Sequence, residues 1–309
     1  MIKVIVVGLG VQGQKRRAVA GDTVAATVDP EIDGADFRRI EEVPLGDYQA
    51  ALVCTPDEAK IDLLDYLLGN AKHVLLEKPL LTDDEADLRR LAETAKRTGA
   101  VCYTAYNHRF EPHFVRLGEV IASGELGEIY ALRMFYGNGT ARLVRQSSWR
   151  DRGAGVLPDL GSHLLDTVLF WLGELPVNFS VVAANRFENR SFDHVVIAAD
   201  GKPFVQLEMT LLSWRNHFTC DLLAENGSAH IRSLCKWGPS TFTLRKRVLP
   251  SGRPDENSTT LIQADPTWDL EYAHFKTLCQ GGGGSNIDND ILINRQLGIL
   301  GREAVEGAR

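Results

Sequence analysis

Short apolar runs rich in valine and isoleucine recur through the first third of the chain, at 2–7, 24–28, 50–54, 73–76 and 100–104. Each has the length of a strand buried on both faces of a parallel sheet. Between them, apolar positions fall at helical spacing over 12–20, over 57–70 with Leu63, Leu64, Leu67 and Leu68 on one face, and over 82–98 with Leu88, Leu91 and Ala95. Thr82 before Asp83, Asp84 and Glu85 reads as a helix start, because its side chain can cap while the acids meet the positive helix end. Strand alternating with helix predicts an N-terminal α/β domain of Rossmann type, a doubly wound parallel sheet.

Past about residue 117 the rhythm changes. A helix over 112–123 leads through Gly124 and Gly127 to a strand at 128–137, an irregular stretch, and a helix over 159–172. Strands then follow one another at 177–187, 193–200, 203–212, 217–224, 227–234 and 240–248, with hairpin-like turns at Asp200-Gly201-Lys202-Pro203 and Glu225-Asn226-Gly227-Ser228. Successive strands with short turns predict a C-terminal α+β domain built on a large, mostly antiparallel open sheet, one face covered by the 159–172 helix. The expected domains are 1–117 and 118–309. Alternating apolar residues such as Val205, Leu207, Met209 and Leu211 call for a cover on the sheet, which predicts a homodimer or homotetramer formed through it. Gly281-Gly282-Gly283-Gly284-Ser285 reads as a natural loop, since a helical pattern resumes at Ile291, Leu292, Leu297, Ile299 and Leu300.

With 309 residues the chain is too long for one ordinary core and suits two domains of about 100 to 200 residues each. A hydrophobic content of 44% with 24% charged residues is an ordinary globular balance. The net charge of -7 favours solubility and gives no sign of a nucleic-acid partner. Cys54, Cys102, Cys220, Cys235 and Cys279 never form C-x-x-C, which argues against a disulfide framework or zinc site, and no metal is expected. The opening Met1-Ile2-Lys3-Val4-Ile5-Val6-Val7 runs straight into a glycine motif and lacks the features of a signal peptide. No apolar run approaches the roughly 18 to 20 residues that span a bilayer, so a cytoplasmic location without a membrane partner is expected.

The glycine motif is Gly8-Leu9-Gly10-Val11-Gln12-Gly13, between a strand and a helix. Glycines there permit a tight turn, close approach of a pyrophosphate and close helix–strand packing, and the helix start supplies N–H groups. Asp29 ends the next strand about 21 residues after Gly8, where a carboxylate accepts ribose hydroxyls and repels a 2′-phosphate. NAD is therefore expected over NADP, although Arg16 and Arg17, read as solvent-facing, leave room for the latter. Thr55 and Pro56 close the third strand at the sheet's carboxyl edge, beside the expected cofactor or in a simple loop.

Two more motifs bring in acid–base chemistry: Glu77-Lys78-Pro79 after the fourth strand, and Asp159 followed by His163. Oxidising a secondary alcohol removes a hydroxyl proton as hydride leaves the same carbon, and histidine is the usual base near neutral pH. Residues four apart on a helix share a face, so Asp159 can influence His163 or bond the substrate. Lys78 can stabilise charge on the reacting oxygen. Plainer readings are a solvated lysine, a helix-capping Asp159 and a buried, satisfied His163; Asp166 is expected to be structural.

These residues resemble the Gfo/Idh/MocA oxidoreductase family over essentially the whole chain. The resemblance rests on G-x-G-x-x-G, Glu77-Lys78-Pro79, Tyr106-Asn107-His108-Arg109-Phe110-Glu111-Pro112, Gly124-Glu125-Leu126-Gly127, Trp149-Arg150 and the D-x-x-x-H segment. It implies that Lys78, Asp159 and His163 sit around the nicotinamide and the substrate, with Glu77 also at the cofactor. One departure is Asp57-Glu58-Ala59-Lys60, where many relatives carry a histidine after T-P, so contacts carried over to that loop are in doubt.

The stretch 137–153 carries Arg142, Arg145, Arg150 and Arg152 around Trp149. It can bind a carboxylate or phosphates of a sugar acid or nucleotide sugar, or it can be a solvated loop or subunit contact. Asn107, His108 and Arg109, which follow the last strand of the first domain, are expected to face the substrate. The function expected is an NAD-dependent dehydrogenase or reductase acting on CH–OH groups of a sugar, cyclitol or nucleotide sugar. The same resemblance also covers NAD-dependent glycosidases and non-catalytic sensors.

Overall fold

The early apolar runs form five parallel strands, β1 (Val4–Val7), β2 (Val24–Val28), β3 (Ala50–Val53), β4 (His73–Glu77) and β5 (Cys102–Ala105), in the order β2-β1-β3-β4-β5. A computed structural model of the chain describes residues 2–147, 150–281 and 284–307. Helices α1 (Val11–Ala20), α2 (Lys60–Gly69) and α3 (Glu85–Thr98) lie between the strands, as the doubly wound pattern predicts. The start of α3 differs from expectation: Asp84, not Thr82, is the cap and accepts the Ala86 N–H at 2.9 Å. Thr82 instead donates its hydroxyl to Asp87 at 3.1 Å, which leaves the helix to begin three residues later.

The second half opens with α4 (Pro112–Ser123), β6 (Ile129–Gly137) and a short α5 (Ala141–Arg145) that the sequence pattern did not show. A π-helical turn, Leu157–Gly161, runs into α6 (Ser162–Leu172). Seven strands follow: β7 (Phe179–Asn185), β8 (His194–Ala199), β9 (Phe204–Thr210), β10 (His217–Ala224), β11 (Gly227–Arg232), β12 (Ser240–Lys246) and β13 (Glu256–Leu261). With β6 they form an eight-stranded sheet, β13-β12-β11-β10-β6-β9-β8-β7, antiparallel except where β6 meets β9. The chain ends with α7 (Thr267–Gly281) and α8 (Ile287–Gly307).

Two compact units result: residues 1–107 with 266–295, and residues 108–265 with 296–309. In the first, the strand residues alternate between two apolar layers. Ile5 and Val7 pack with Leu64, Leu67, Leu68, Leu88 and Leu91, while Val4 and Val6 pack with Tyr272 and Phe275 of α7. Each fully buried leucine of this kind contributes about 1.5–3 kcal/mol. In the second unit one sheet face is apolar, and Phe114 of α4 lies 5.0 Å ring to ring from both Trp171 of α6 and Phe218 of β10. Val205, Leu207, Met209 and Leu211 are all at most 1% exposed, covered within the chain itself. They therefore give no reason for a partner subunit. At one edge of the sheet, β12 and β13 pair hydroxyls, Thr241 with Thr260 and Thr243 with Ser258.

Candidate functional site

In the first unit, the turn from β1 to α1 is shaped by what its glycines exclude. Gly8 has φ +90°, and a Cβ there would stand 2.7 Å from the Cys54 carbonyl oxygen. A Cβ on Gly13 would stand 1.8 Å from the Gly8 carbonyl oxygen. Gly10 is different: a Cβ would meet no atom within 4 Å and would fill open space before the first turn of α1. Val11 and Gln12 are exposed beside it. That is the cradle a pyrophosphate needs, where backbone N–H groups and a helix start face solvent without side chains.

Asp29 is buried against this turn. Its Oδ2 accepts the Leu9 N–H at 2.7 Å, and its Oδ1 accepts the N–H groups of Glu31 and Ile32 at 2.9 and 2.8 Å. Burial pushes its carboxyl up, but these three N–H groups and the nearby Arg38 outweigh it, so the group is held below the ordinary aspartate value. A carboxylate has about four lone-pair sites, so one remains for a ribose hydroxyl. Thr55 lies on the same edge, with Cγ2 3.3 Å from where a Gly8 Cβ would be, and Pro56 follows it at the head of the turn to α2.

The Glu77-Lys78-Pro79 segment ends β4 on a set of buried charges. Glu77 Oε1 takes Arg16 Nε at 2.6 Å, and Arg16 Nη2 reaches Glu271 at 2.7 Å. Arg16 is 2% exposed and lies 4.2 Å from the Trp268 ring. This corrects the expectation that it faces solvent: the flanking carboxylates of Glu77 and Glu271 make its burial tolerable. Arg17 is exposed. Lys60, in the segment after T-P where many relatives carry a histidine, is likewise buried and donates to the carbonyls of Glu77 and Pro79, on either side of Lys78. Asn107, 8% exposed, donates its amide to Thr267 Oγ1 at 2.7 Å.

In the second unit, Asp159 lies in the π-helical turn and His163 one residue into α6, so the two do not share a regular α-helix. Single π turns are frequent at functional sites. Gly161 is needed there because a Cβ would meet Met209 Sδ at 2.9 Å. Asp159 Oδ2 accepts from Arg150 at 3.4 Å. The His163 ring, 7% exposed in its residue, stacks on His108 with centroids 4.2 Å apart and planes 19° apart. Arg109 forks onto the buried Asp166, with nitrogen–oxygen distances of 2.6, 2.9 and 3.1 Å.

The arginine-rich stretch divides. Arg150 is at Asp159, whereas Arg145 donates to the Glu188 carbonyl at 2.9 Å and Arg142 lies 3.9 Å from the Glu188 carboxylate. Trp149 falls outside the described residues. Within the first unit the fold thus gathers Gly8, Gly10, Val11, Gln12, Gly13, Asp29, Thr55, Pro56, Glu77 and Lys78 along the carboxyl edge of β1 to β4. Within the second it pairs Arg150 with Asp159 and stacks His163 on His108. Lys60, His108 and Glu271 carry more of this architecture than the sequence reading gave them. Lys60 was visible as a departure after T-P; the Arg16–Glu271 pair spans 255 positions and leaves no local signal.

Residues 2–106 match the family model described as oxidoreductase family, NAD-binding Rossmann fold, and residues 114–230 match the GFO/IDH/MocA C-terminal domain. Inositol 2-dehydrogenase of Rhizobium meliloti (strain 1021) is 29% identical over 152 residues, 49% of this chain and 45% of that protein. D-glucoside 3-dehydrogenase of Escherichia coli (strain K12) is 32% identical over 131 residues, 39% of this chain and 35% of that protein. The match therefore spans less than half the length of either curated relative. An oxidoreductase from Agrobacterium radiobacter, solved in complex with NAD+, L-tartaric acid and magnesium, superposes with a TM-score of 0.82 at 15% identity, covering 99% of this chain and 97% of that one. At that identity the likeness concerns the fold. Among the described residues no helix is long and apolar enough to cross a membrane.

Proposed function

Because the chain belongs to the Gfo/Idh/MocA oxidoreductase family, with both its NAD-binding and its C-terminal domain matched, we propose that it moves hydride between NAD and a secondary alcohol of a sugar, cyclitol or nucleotide sugar. The observation that carries this reading is the glycine turn, where Gly8 and Gly13 exclude any side chain and Gly10 opens onto the head of α1. Gly10, Val11 and Gln12 hold the pyrophosphate through backbone N–H groups, and Asp29 offers its remaining lone pair to the ribose. A carboxylate at that place disfavours a 2′-phosphate, so NAD is preferred to NADP. When bound, NAD supplies the hydride acceptor.

The chain's own residues supply the rest. A ring nitrogen of His163 takes the proton of the substrate hydroxyl, and Lys78 Nζ donates a hydrogen bond to the reacting oxygen, where charge develops. Asp159, held by Arg150, orients the substrate. Lys60 holds the backbone on both sides of Lys78, which fixes where that side chain starts. Relatives named for inositol and glucoside substrates support polyhydroxylated rings as the substrate class.

The test is coenzyme binding followed by turnover. Titration with NAD and NADP is expected to show tighter binding of NAD, and a screen of free and nucleotide-linked sugars is expected to reduce NAD with at least one of them. Lys78→Ala and His163→Ala are expected to keep NAD binding within a few-fold and to lose turnover by at least 100-fold. Full turnover in both variants would refute the residue roles, and absence of NAD binding in the parent would refute the reading as a whole.

A further inference from the structure

Lys236 sits in a 3-10 turn, Cys235–Trp237, beyond the end of β11. Glu111, 1% exposed, anchors that turn: its carboxylate accepts the Cys235 N–H at 3.0 Å and the Cys235 thiol at 2.9 Å. The anchored turn puts Lys236 Nζ 3.4 Å from His108 Nε2, 4.9 Å from the Trp237 ring centroid and 5.9 Å from that of Tyr136. His108 in turn stacks on His163. Tyr136 lies 5.3 Å from the His108 ring and 6.0 Å from the His163 ring. An ammonium and two imidazoles thus stand in series among aromatic rings, in a place where none of them is well solvated.

We propose that Lys236 is a positioning residue of the second unit's acid–base group, which sets the proton occupancy of His163 through the stacked His108. The proposal rests on the reading of His163 as the proton acceptor. A base must begin neutral, and a positive charge beside an imidazole disfavours the imidazolium. Two stacked imidazoles also resist carrying charge together, so a cation at His108 acts on the pair and not on one ring.

The other ionisable groups around the pair fit this assignment. On the side of Lys236 stand the carboxyl groups of Glu111 and Asp265, which oppose the burial that draws the ammonium below the ordinary lysine value, and the Cys235 thiol. On the element that carries His163, Asp159 is held by Arg150 and Asp166 by Arg109. From β6 comes the phenol of Tyr136, and Phe114 of α4 lies 5.7 Å from the His108 ring.

The experiment is a pH titration of the histidine Cε1 signals by NMR on the whole chain, without substrate or coenzyme. His108→Gln and His163→Gln assign the two resonances among the eight histidines. In the parent both midpoints are expected below the ordinary value of about 6.5. Lys236→Met is expected to raise them by about one pH unit, a tenfold change in protonation, and Lys236→Arg is expected to keep them low. Lys236→Gln carries the same expectation as Lys236→Met should the latter not fold. Midpoints that stay put when the ammonium is removed would overturn the proposal. Because no turnover is read, that failure is separate from failure of the dehydrogenase reading.

Discussion

The ammonium of Lys60 lies 2.6 Å from the carbonyl oxygen of Pro79 and 2.8 Å from that of Glu77, so the peptide groups flanking Lys78 hang on one side chain. Its third proton goes to Asp57 at 2.7 Å, which satisfies the ammonium completely within the unit. A lysine is seldom buried, and here the three acceptors are what make burial affordable in free energy.

Lys60→Met preserves the length of the side chain and removes every donor. Two carbonyls then lose their partner in a buried place, which costs about 1–3 kcal/mol of stability. The measurement is the urea unfolding midpoint, with the slope checked to be unchanged. A midpoint equal to the parent's would show that water replaces the ammonium without loss.

Gly10 and Gly13 make opposite predictions although only three residues separate them. Gly13→Ala forces a methyl to within 1.8 Å of the Gly8 carbonyl oxygen, so helix and strand must part and the fold loses stability by several kcal/mol. Gly10→Ala meets no protein atom, so the thermal midpoint is expected to stay within a degree or two of the parent's. NAD binding in that variant is expected to weaken at least tenfold, read by calorimetry, since the methyl stands where the pyrophosphate approaches. Unaltered NAD affinity in a folded Gly10→Ala chain would remove the cradle from the argument.

The buried triad of Glu77, Arg16 and Glu271 predicts a large single-residue effect. Arg16→Met removes the cation that joins two carboxylates that are 15% and 0% exposed. Uncompensated buried charge of this kind costs about 3–5 kcal/mol. Glu77→Gln with Glu271→Gln in the same chain as Arg16→Met is expected to recover much of the loss, because a neutral trio leaves no buried charge. Chemical denaturation of the single and triple variants reads the difference, and equal destabilisation of both would contradict the electrostatic account.

Much of this was legible in the chain and some was not, for physical reasons. Both sheets announce themselves by period: runs such as Val4–Val7 mark two-faced burial, and Phe204–Thr210 alternates because one face is covered. β13, with Glu256, Asn257, Ser258 and Thr259 among its residues, is an exposed edge strand without apolar alternation, and its pairing with β12 supplies what its sequence does not signal. The glycine turn and Asp29 were readable because their spacing along the chain is fixed by one strand–helix–strand unit. Arg16 was misread because a lysine- and arginine-rich helix looks solvated until Glu271, 255 positions later, comes beside it. Lys236 was invisible for the same reason: its neighbours Glu111 and His108 lie more than 120 positions earlier.

Asp29 predicts how the first unit responds to acid. Its carboxylate accepts three backbone N–H groups, including that of Leu9 in the glycine turn, and these hold its folded value below the unfolded one despite burial. The folded state therefore binds fewer protons than the unfolded state around pH 4, and stability rises with pH there. The contribution is fully present above the unfolded value of about 3.9 and is lost as pH falls through the lower folded value. Asn at this position keeps the shape but offers one acceptor oxygen instead of two, so Asp29→Asn is expected to cost about 1–2 kcal/mol at pH 6. At pH 3 the gap between the two proteins is expected to narrow, because the unfolded parent then binds a proton more readily than the folded one does. Denaturation at the two pH values tests this, and hydrogen exchange of the Leu9 amide locates it: protection of that amide should fall in the variant while that of the β3 amides does not. A gap that holds constant from pH 6 to pH 3 would mean that the Asp29 charge is not what secures the turn.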